Sequence, residues 1–180
     1  MNSVRIVGGE RRRRTLRFPD SEGLRPTPDR VRETLFNWLG QELDGLTCLD
    51  PFAGSGALGF EAASRGARRV VMVEKAPTVI AALRENAKLL HAESRVEIVR
   101  GDALQYLAAT QAKFDLIFLD PPYKQGWIDK LAPFLPRLLN EDGALYVEAE
   151  YGIDSLGEWR TTRSGKAGEV RYHLLRREPD

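Results

Sequence analysis

The chain has 180 residues, 42% of them apolar, and balances 27 Lys and Arg against 26 Asp and Glu for a formal net charge of +1. That length and composition suit one domain with a proper core. Cys48 is the single cysteine, which excludes a disulfide framework. The two histidines, His91 and His173, have no cysteine company, so no metal site is expected. No stretch has the length of a membrane span or the pattern of a signal peptide, and a cytoplasmic, monomeric protein is expected.

The near-neutral total conceals an asymmetry. Residues 1–17 hold six arginines, Arg5, Arg11, Arg12, Arg13, Arg14 and Arg17, against Glu10, a net of +5, which leaves −4 for the remainder. A basic arm, about residues 1–24, on a mildly acidic body is the pattern of a nucleic-acid binder. The competing reading is a solvated turn or a disordered tail. A helix is expected from Pro28 to about Gln41, with Thr27 as its N-cap and Val31, Leu35, Trp38 and Leu39 on one face.

Residues 46–49 are a short apolar strand candidate, followed by Asp50 and by Gly54, Gly56 and Gly59 in G-x-G-x-x-G spacing. A helix is expected over 57–65 and a second strand over 70–73, ending in Glu74. Strand, glycine loop, helix, strand and acid form the complete unit that this motif requires, and Glu74 lies twenty residues after Gly54. A nucleoside site is therefore expected, with Glu74 on the ribose hydroxyls. Asp50 adds a carboxylate where a dinucleotide's pyrophosphate would otherwise approach. It favours a cationic ligand by Coulomb attraction. S-adenosylmethionine, with a sulfonium and an ammonium, fits better than NAD.

Further units follow: a helix over 78–90, a strand over 96–99, Gly101-Asp102-Ala103, a helix over 103–109 and a strand over 115–119. Asp102 has two readings, an acceptor for an adenine amino group or a helix N-cap. The 115–119 strand ends in Asp120-Pro121-Pro122-Tyr123. The prolines stop the strand and stiffen the turn. A carboxylate and a free Pro121 carbonyl then stand together as two acceptors for an NH2 group, and Tyr123 offers a face for a base to stack on. By itself the tetrapeptide also reads as a plain turn. A helix over 127–139, a strand over 144–149 and a hairpin of 159–163 with 170–176, turning through Gly165 and Gly168, complete the pattern. Alternating strands and helices imply a parallel sheet with right-handed crossovers.

The ordered motifs Asp50-Pro51-Phe52-Ala53-Gly54-Ser55-Gly56, Glu74, Gly101-Asp102-Ala103 and Asp120-Pro121-Pro122-Tyr123 resemble those of class I S-adenosylmethionine-dependent methyltransferases acting on exocyclic amines. Arg5-Ile6-Val7-Gly8-Gly9, and the run from Leu24-Arg25-Pro26-Thr27-Pro28-Asp29-Arg30 to Leu39, are similar to the bacterial 16S ribosomal RNA guanine-N2-methyltransferases. The resemblance implies a Rossmann-like α/β fold: a mostly parallel seven-stranded sheet, helices on both faces and a C-terminal antiparallel hairpin. It implies methylation of a guanine N2 amine in 16S rRNA, free or in an assembling small subunit. With the residue reading, it assigns Asp120, Pro121 and Tyr123 to catalysis. Asp50, Gly54, Gly56, Glu74, Lys75, Asp102 and Ala103 are assigned to the cofactor, and Arg5 and Arg11 to Arg14 to RNA. The runner-up activity is a DNA adenine-N6 or cytosine-N4 methyltransferase, which normally needs a separate base-recognition region. An NAD oxidoreductase leaves Asp-Pro-Pro-Tyr unexplained. A non-catalytic RNA-binding module does not need every cofactor position.

Overall fold

The computed structural model describes residues 2–20, 24 and 26–178. The end of the expected arm at residues 21–23, together with Arg25 of the N-terminal motif, lies outside the described residues. The arm opens with a hairpin of β1 (Asn2–Arg5) and β2 (Thr15–Phe18). After it come α1 (Asp29–Leu39), β3 (Thr47–Asp50), α2 (Ala57–Ser64), β4 (Arg69–Glu74), α3 (Pro77–Leu89), β5 (Val96–Arg100), α4 (Ala103–Ala109) and β6 (Phe114–Leu119). The chain ends through α5 (Trp127–Leu131), a 3-10 turn (Ala132–Phe134), α6 (Leu135–Leu138), β7 (Leu139–Ala149), β8 (Ser155–Leu156), β9 (Trp159–Ala167) and β10 (Val170–Arg177).

The large sheet has the order β5-β4-β3-β6-β7-β10-β9-β8. Five strands, β3 to β7, run parallel, and β10, β9 and β8 are added antiparallel. The seven expected strands are all present. The eighth, β8, is a two-residue edge piece beyond the C-terminal hairpin. Chain direction across the sheet reverses beside β3: β4 and β5 lie to one side, β6 and β7 to the other. Open α/β sheets bind ligands beyond the carboxyl ends of the strands at such a switch point. Here those ends carry Asp50 and Asp120.

Period-two alternation sends neighbouring strand residues to opposite cores. Cys48, Val70, Met72, Phe118 and Tyr146 pack under α1, α2, α3 and the hairpin. Leu49, Val71, Ile117, Leu119 and Val147 pack under α4, α5 and α6. Helix α2 is buried along its whole length. Gly59 permits this, because a Cβ there would meet the Met72 Cε at 2.4 Å. Gly56 starts the helix at φ +82°, a conformation that favours glycine, and a Cβ there would strike the Phe60 ring at 2.6 Å.

Three local expectations are corrected. Thr27 does not cap α1: the N-cap is Pro28, with no side-chain hydrogen bond, and the Thr27 hydroxyl turns toward the sheet instead. The expected 127–139 helix breaks into three short pieces, because Pro133 and Pro136 remove N–H donors from its interior. Gly165 lies within β9, leaving Gly168 for the turn. The Tyr172 ring occupies the space where a residue-165 side chain would stand.

The hairpin is packed, not free. Val4, Ile6, Leu16 and Phe18 enter the core. Beside them Glu61, fully buried, accepts hydrogen bonds from the backbone N–H groups of Val7 and Gly8 at 2.8 and 2.9 Å. It also accepts from Arg32 Nη1 at 2.8 Å and Arg65 Nε at 2.9 Å. Arg32 takes an α1 position on the buried face, next to Val31, Leu35 and Phe36. Removing one partner of a buried ion pair leaves the other charge stranded, at a cost of about 3–5 kcal/mol. Glu61→Ala should lose stability on that scale in urea unfolding. A loss below about 1 kcal/mol would show that water or another group compensates the two arginines.

Candidate active site

The site is built where strand ends meet the glycine loop. Asp50 is the last residue of β3 and is almost fully buried. Its Oδ1 has no hydrogen-bond partner among the described residues. Burial raises its pKa from 3.8 to about 7, with the charges of Glu74 and Glu148 adding to the shift, while the backbone N–H groups of Gly59 and Phe52 oppose it. An orphaned, buried carboxylate oxygen under a glycine loop is a group that a cationic ligand would satisfy. The cradle thus fits a sulfonium and ammonium carrier, and without one a substantial fraction of the carboxyl is protonated near neutral pH.

Glu74 ends β4 and is half-buried. Its Oε1 accepts from the Gly54 N–H at 3.3 Å, and its Oε2 accepts from the N–H groups of Lys75 and Ala76 at 3.0 and 2.9 Å. One carboxylate therefore fixes the glycine loop and starts α3. It retains lone pairs for hydroxyl donors. Lys75 contributes a backbone donor to this arrangement, and its side chain is exposed. Asp102 caps α4 by accepting from the Gln105 N–H at 3.3 Å through Oδ2, and Ala103 is the buried first residue of that helix. The capping reading of Asp102 holds, and its other oxygen is not used in the cap.

Asp120 follows β6 and is half-buried; Pro121 is buried behind it. Its neighbour was not anticipated. Glu148, on β7, is 5% exposed and hydrogen-bonds the Asp120 carboxyl. Glu148 Oε1 accepts from the Tyr146 hydroxyl at 2.6 Å and from Thr27 Oγ1 at 2.9 Å. Thr27 Oγ1 also lies 3.5 Å from Asp120 Oδ2. Burial, then the Glu148 charge, hold the Asp120 pKa well above the usual carboxylate range, and Asp50 adds to the effect. Burial and the same Glu148 charge raise the Tyr146 phenol, so it remains a donor. A sequence signal for Glu148 existed: like Asp50, Glu74, Asp102 and Asp120, it is an acid at the carboxyl end of an apolar strand. Thr27 left no such signal, because its role depends on the hairpin.

Glu148 lines a pocket of about 350 Å³ together with Pro121, Pro122, Tyr123, Ile128 and Tyr151, and Asp120 adjoins it through its hydrogen bond to Glu148. Tyr123 stands on one wall, and Tyr151, 55% exposed, on another. Phe52 of the glycine loop meets the Trp127 ring edge-on at 5.3 Å, which joins the loop to the start of α5.

The arginines are not brought to this pocket. The Arg11 N–H donates to Ser64 Oγ, and its Nε donates to the Leu90 carbonyl at 2.6 Å. Ser64 and Leu90 mark the ends of α2 and α3, helices that run back from the strands' carboxyl ends, so the turn holding Arg11 to Arg14 lies at the opposite edge of the sheet. Arg12, Arg13 and Arg14 are exposed there, and Arg5 is exposed on β1.

Residues 4–176 match the model of the family described as Conserved hypothetical protein 95. The chain is 41% identical to the Ribosomal RNA small subunit methyltransferase D of Escherichia coli strain K12, over 97% of this chain and 90% of that protein. The corresponding protein of Haemophilus influenzae is 39% identical, over 95% and 92%. The solved structure of the yhhF protein of Escherichia coli superposes with a TM-score of 0.88 at 39% identity, covering 99% of this chain and all of that one. A match across nearly the whole chain, on a sheet that places the acidic strand ends around one glycine loop, has one consequence: the chain belongs to the Conserved hypothetical protein 95 family and has the class I methyltransferase fold.

Proposed function

We propose that the chain methylates the exocyclic N2 amine of a guanine in 16S rRNA, using S-adenosylmethionine. The observation that carries this reading is the pairing of two sites across the β3/β6 switch point. On one side is a glycine cradle over the unpartnered Oδ1 of Asp50, and on the other a base-sized pocket lined by Pro121, Tyr123 and Glu148, with Asp120 beside Glu148. Relatives about 40% identical that are named rRNA small subunit methyltransferases support the substrate class.

The cofactor supplies a methyl group already activated by its sulfonium. Asp50 meets the positive charge, Gly54 and Gly56 let the backbone approach, and Glu74 accepts from the ribose hydroxyls. Asp102, beside Ala103 and Lys75, takes the adenine side. The chain must then align an amine with the methyl carbon, and alignment alone can lower a barrier by roughly 7–11 kcal/mol. Guanine N2 is a weak nucleophile because its lone pair is delocalised into the ring. Asp120 and the Pro121 carbonyl accept its two hydrogens, which favours a more pyramidal nitrogen. Tyr123 stacks on the base, which must be unpaired or flipped out. The Asp120–Glu148 pair stands beside the nitrogen to receive the departing proton. No covalent intermediate on the protein is required.

Arg12, Arg13 and Arg14 are available for phosphates, whereas Arg11 is partly engaged at the α3 terminus. Because this edge lies across the sheet from the pocket, a substrate that touches both must be a large folded RNA.

Asp120→Ala should slow single-turnover methyl transfer by about 10²–10⁴-fold while RNA affinity stays within a few-fold. Near-normal rates in a folded variant would defeat the role given to Asp120. For Asp50, the folded pKa is raised, so ionisation opposes folding: its contribution to stability is fully present below pH 3.8 and is lost as pH rises through about 7. A cationic ligand reverses that cost. Affinity for S-adenosylmethionine should therefore climb between about pH 5.5 and 7.5, and binding at pH 6 should release close to one proton. Calorimetry giving identical heats in buffers of different ionisation enthalpy at pH 6 would remove Asp50 from the cofactor site. For the arm, deletion is uninformative because Val4, Ile6, Leu16 and Phe18 are core residues. The triple change of Arg12, Arg13 and Arg14 to Gln should instead reduce the slope of log affinity against log salt by about 2–3. An unchanged slope would show that this edge does not meet RNA.

A further inference from the structure

We infer that Glu148 is the residue that selects guanine: it accepts the base's N1–H beside the amine held at Asp120. This rests on the pocket being the base site and adds the feature that separates guanine from the other bases with exocyclic amines.

The placement follows from strand register. Leu119 of β6 pairs with Val147 of β7, so Asp120 and Glu148 leave adjacent parallel strands side by side, and Glu148 lines the pocket with Pro121 and Tyr123. The Glu148 carboxylate is held rigidly. Tyr146 and Thr27 both donate to Oε1, which fixes that oxygen and leaves the rest of the group toward Asp120 and the pocket. An ionised carboxylate accepts and never donates. A tether for Thr27 alone needs neither a charge nor an opening onto the pocket.

The chemistry of the three candidate bases then decides. Guanine presents N1–H directly beside N2–H2, a run of donors on one edge. Adenine places the N1 lone pair beside its N6 amine, and cytosine places the N3 lone pair beside its N4 amine. The Pro121 carbonyl and the Glu148 carboxylate, with Asp120 accepting once it gives up its proton, match the first edge. They repel the lone pair of the other two. Rejection by an unpaired buried polar group is the strong form of discrimination.

The test uses the full-length protein and 16S rRNA whose methylated position has first been mapped with the wild type. That guanine is then replaced by 2-aminopurine, which keeps the amine but has a lone pair at N1. Wild type should prefer guanine by about 10–100-fold in kcat/KM. Glu148→Gln preserves shape and the acceptor for Thr27 and Tyr146 but offers an N–H2 donor. It should narrow that preference by at least about tenfold and increase the 2-aminopurine fluorescence rise on binding. Tyr146→Phe removes one hydrogen bond without changing the charge and should keep the preference. An unchanged guanine preference in Glu148→Gln would overturn the inference. So would a wild type that methylates both RNAs equally, whichever variants fold. A wild type that places no methyl on guanine N2 would instead remove the underlying reading of the pocket.

Discussion

Glu61 accepts four hydrogen bonds in a fully buried position: from two backbone N–H groups of the N-terminal hairpin, from Arg32 of α1 and from Arg65 at the end of α2. Arg32 extends the same knot by donating to the carbonyls of Arg5 and Thr27. One carboxylate thus joins the hairpin, the segment entering α1 and the helix that follows the glycine loop. The position of Thr27 beside Glu148 depends on it, and so does the geometry of the pocket. A buried charge cluster of this kind is a poor source of net stability compared with apolar packing, but it tolerates only one arrangement of its donors. Its effect here is to fix the hairpin's path across the helices.

The second constraint is electrostatic. Asp50, Glu148 and Asp120 lie close enough for their charges to act on one another, and burial prevents water from screening them. Such crowding costs stability in an empty protein. It is relieved by ligands that bring positive charge or hydrogen-bond donors, and the two proposed ligands bring one each. A sulfonium and ammonium face Asp50, and a donor edge of guanine faces Asp120 and Glu148. The strain that the fold accepts at the switch point therefore matches the chemistry proposed for it.

Much of this was legible from sequence, for physical reasons that differ by element. The strand–loop–helix–strand unit from 46 to 74 was readable because glycine spacing, apolar runs and a terminal acid are all local signals. Asp120-Pro121-Pro122-Tyr123 was readable because the prolines mark the strand end. The central segments agreed to within a residue or two, with β7 longer than expected. Other features depend on partners distant in sequence. Arg32 reads as a surface arginine until Glu61 is placed against it, 29 residues away. Thr27 reads as a helix cap until Glu148, 121 residues on, draws its hydroxyl away. The packing of the basic arm is not legible because its four core residues alternate with polar ones over only short runs. Glu148 was available as a pattern, an acid ending an apolar strand, but its pairing with Asp120 required the β6–β7 register.

The central claim is that an acceptor-lined pocket at the β3/β6 switch point delivers a methyl group to a guanine amine of ribosomal RNA. The most direct measurement is mass spectrometry of nucleosides from 16S rRNA incubated with the purified protein and methyl-deuterated S-adenosylmethionine. The account predicts a deuterated methyl group on guanosine N2, at one position. Label on adenosine N6 or cytidine N4, or no label in RNA from either naked 16S rRNA or assembling subunits, would contradict it.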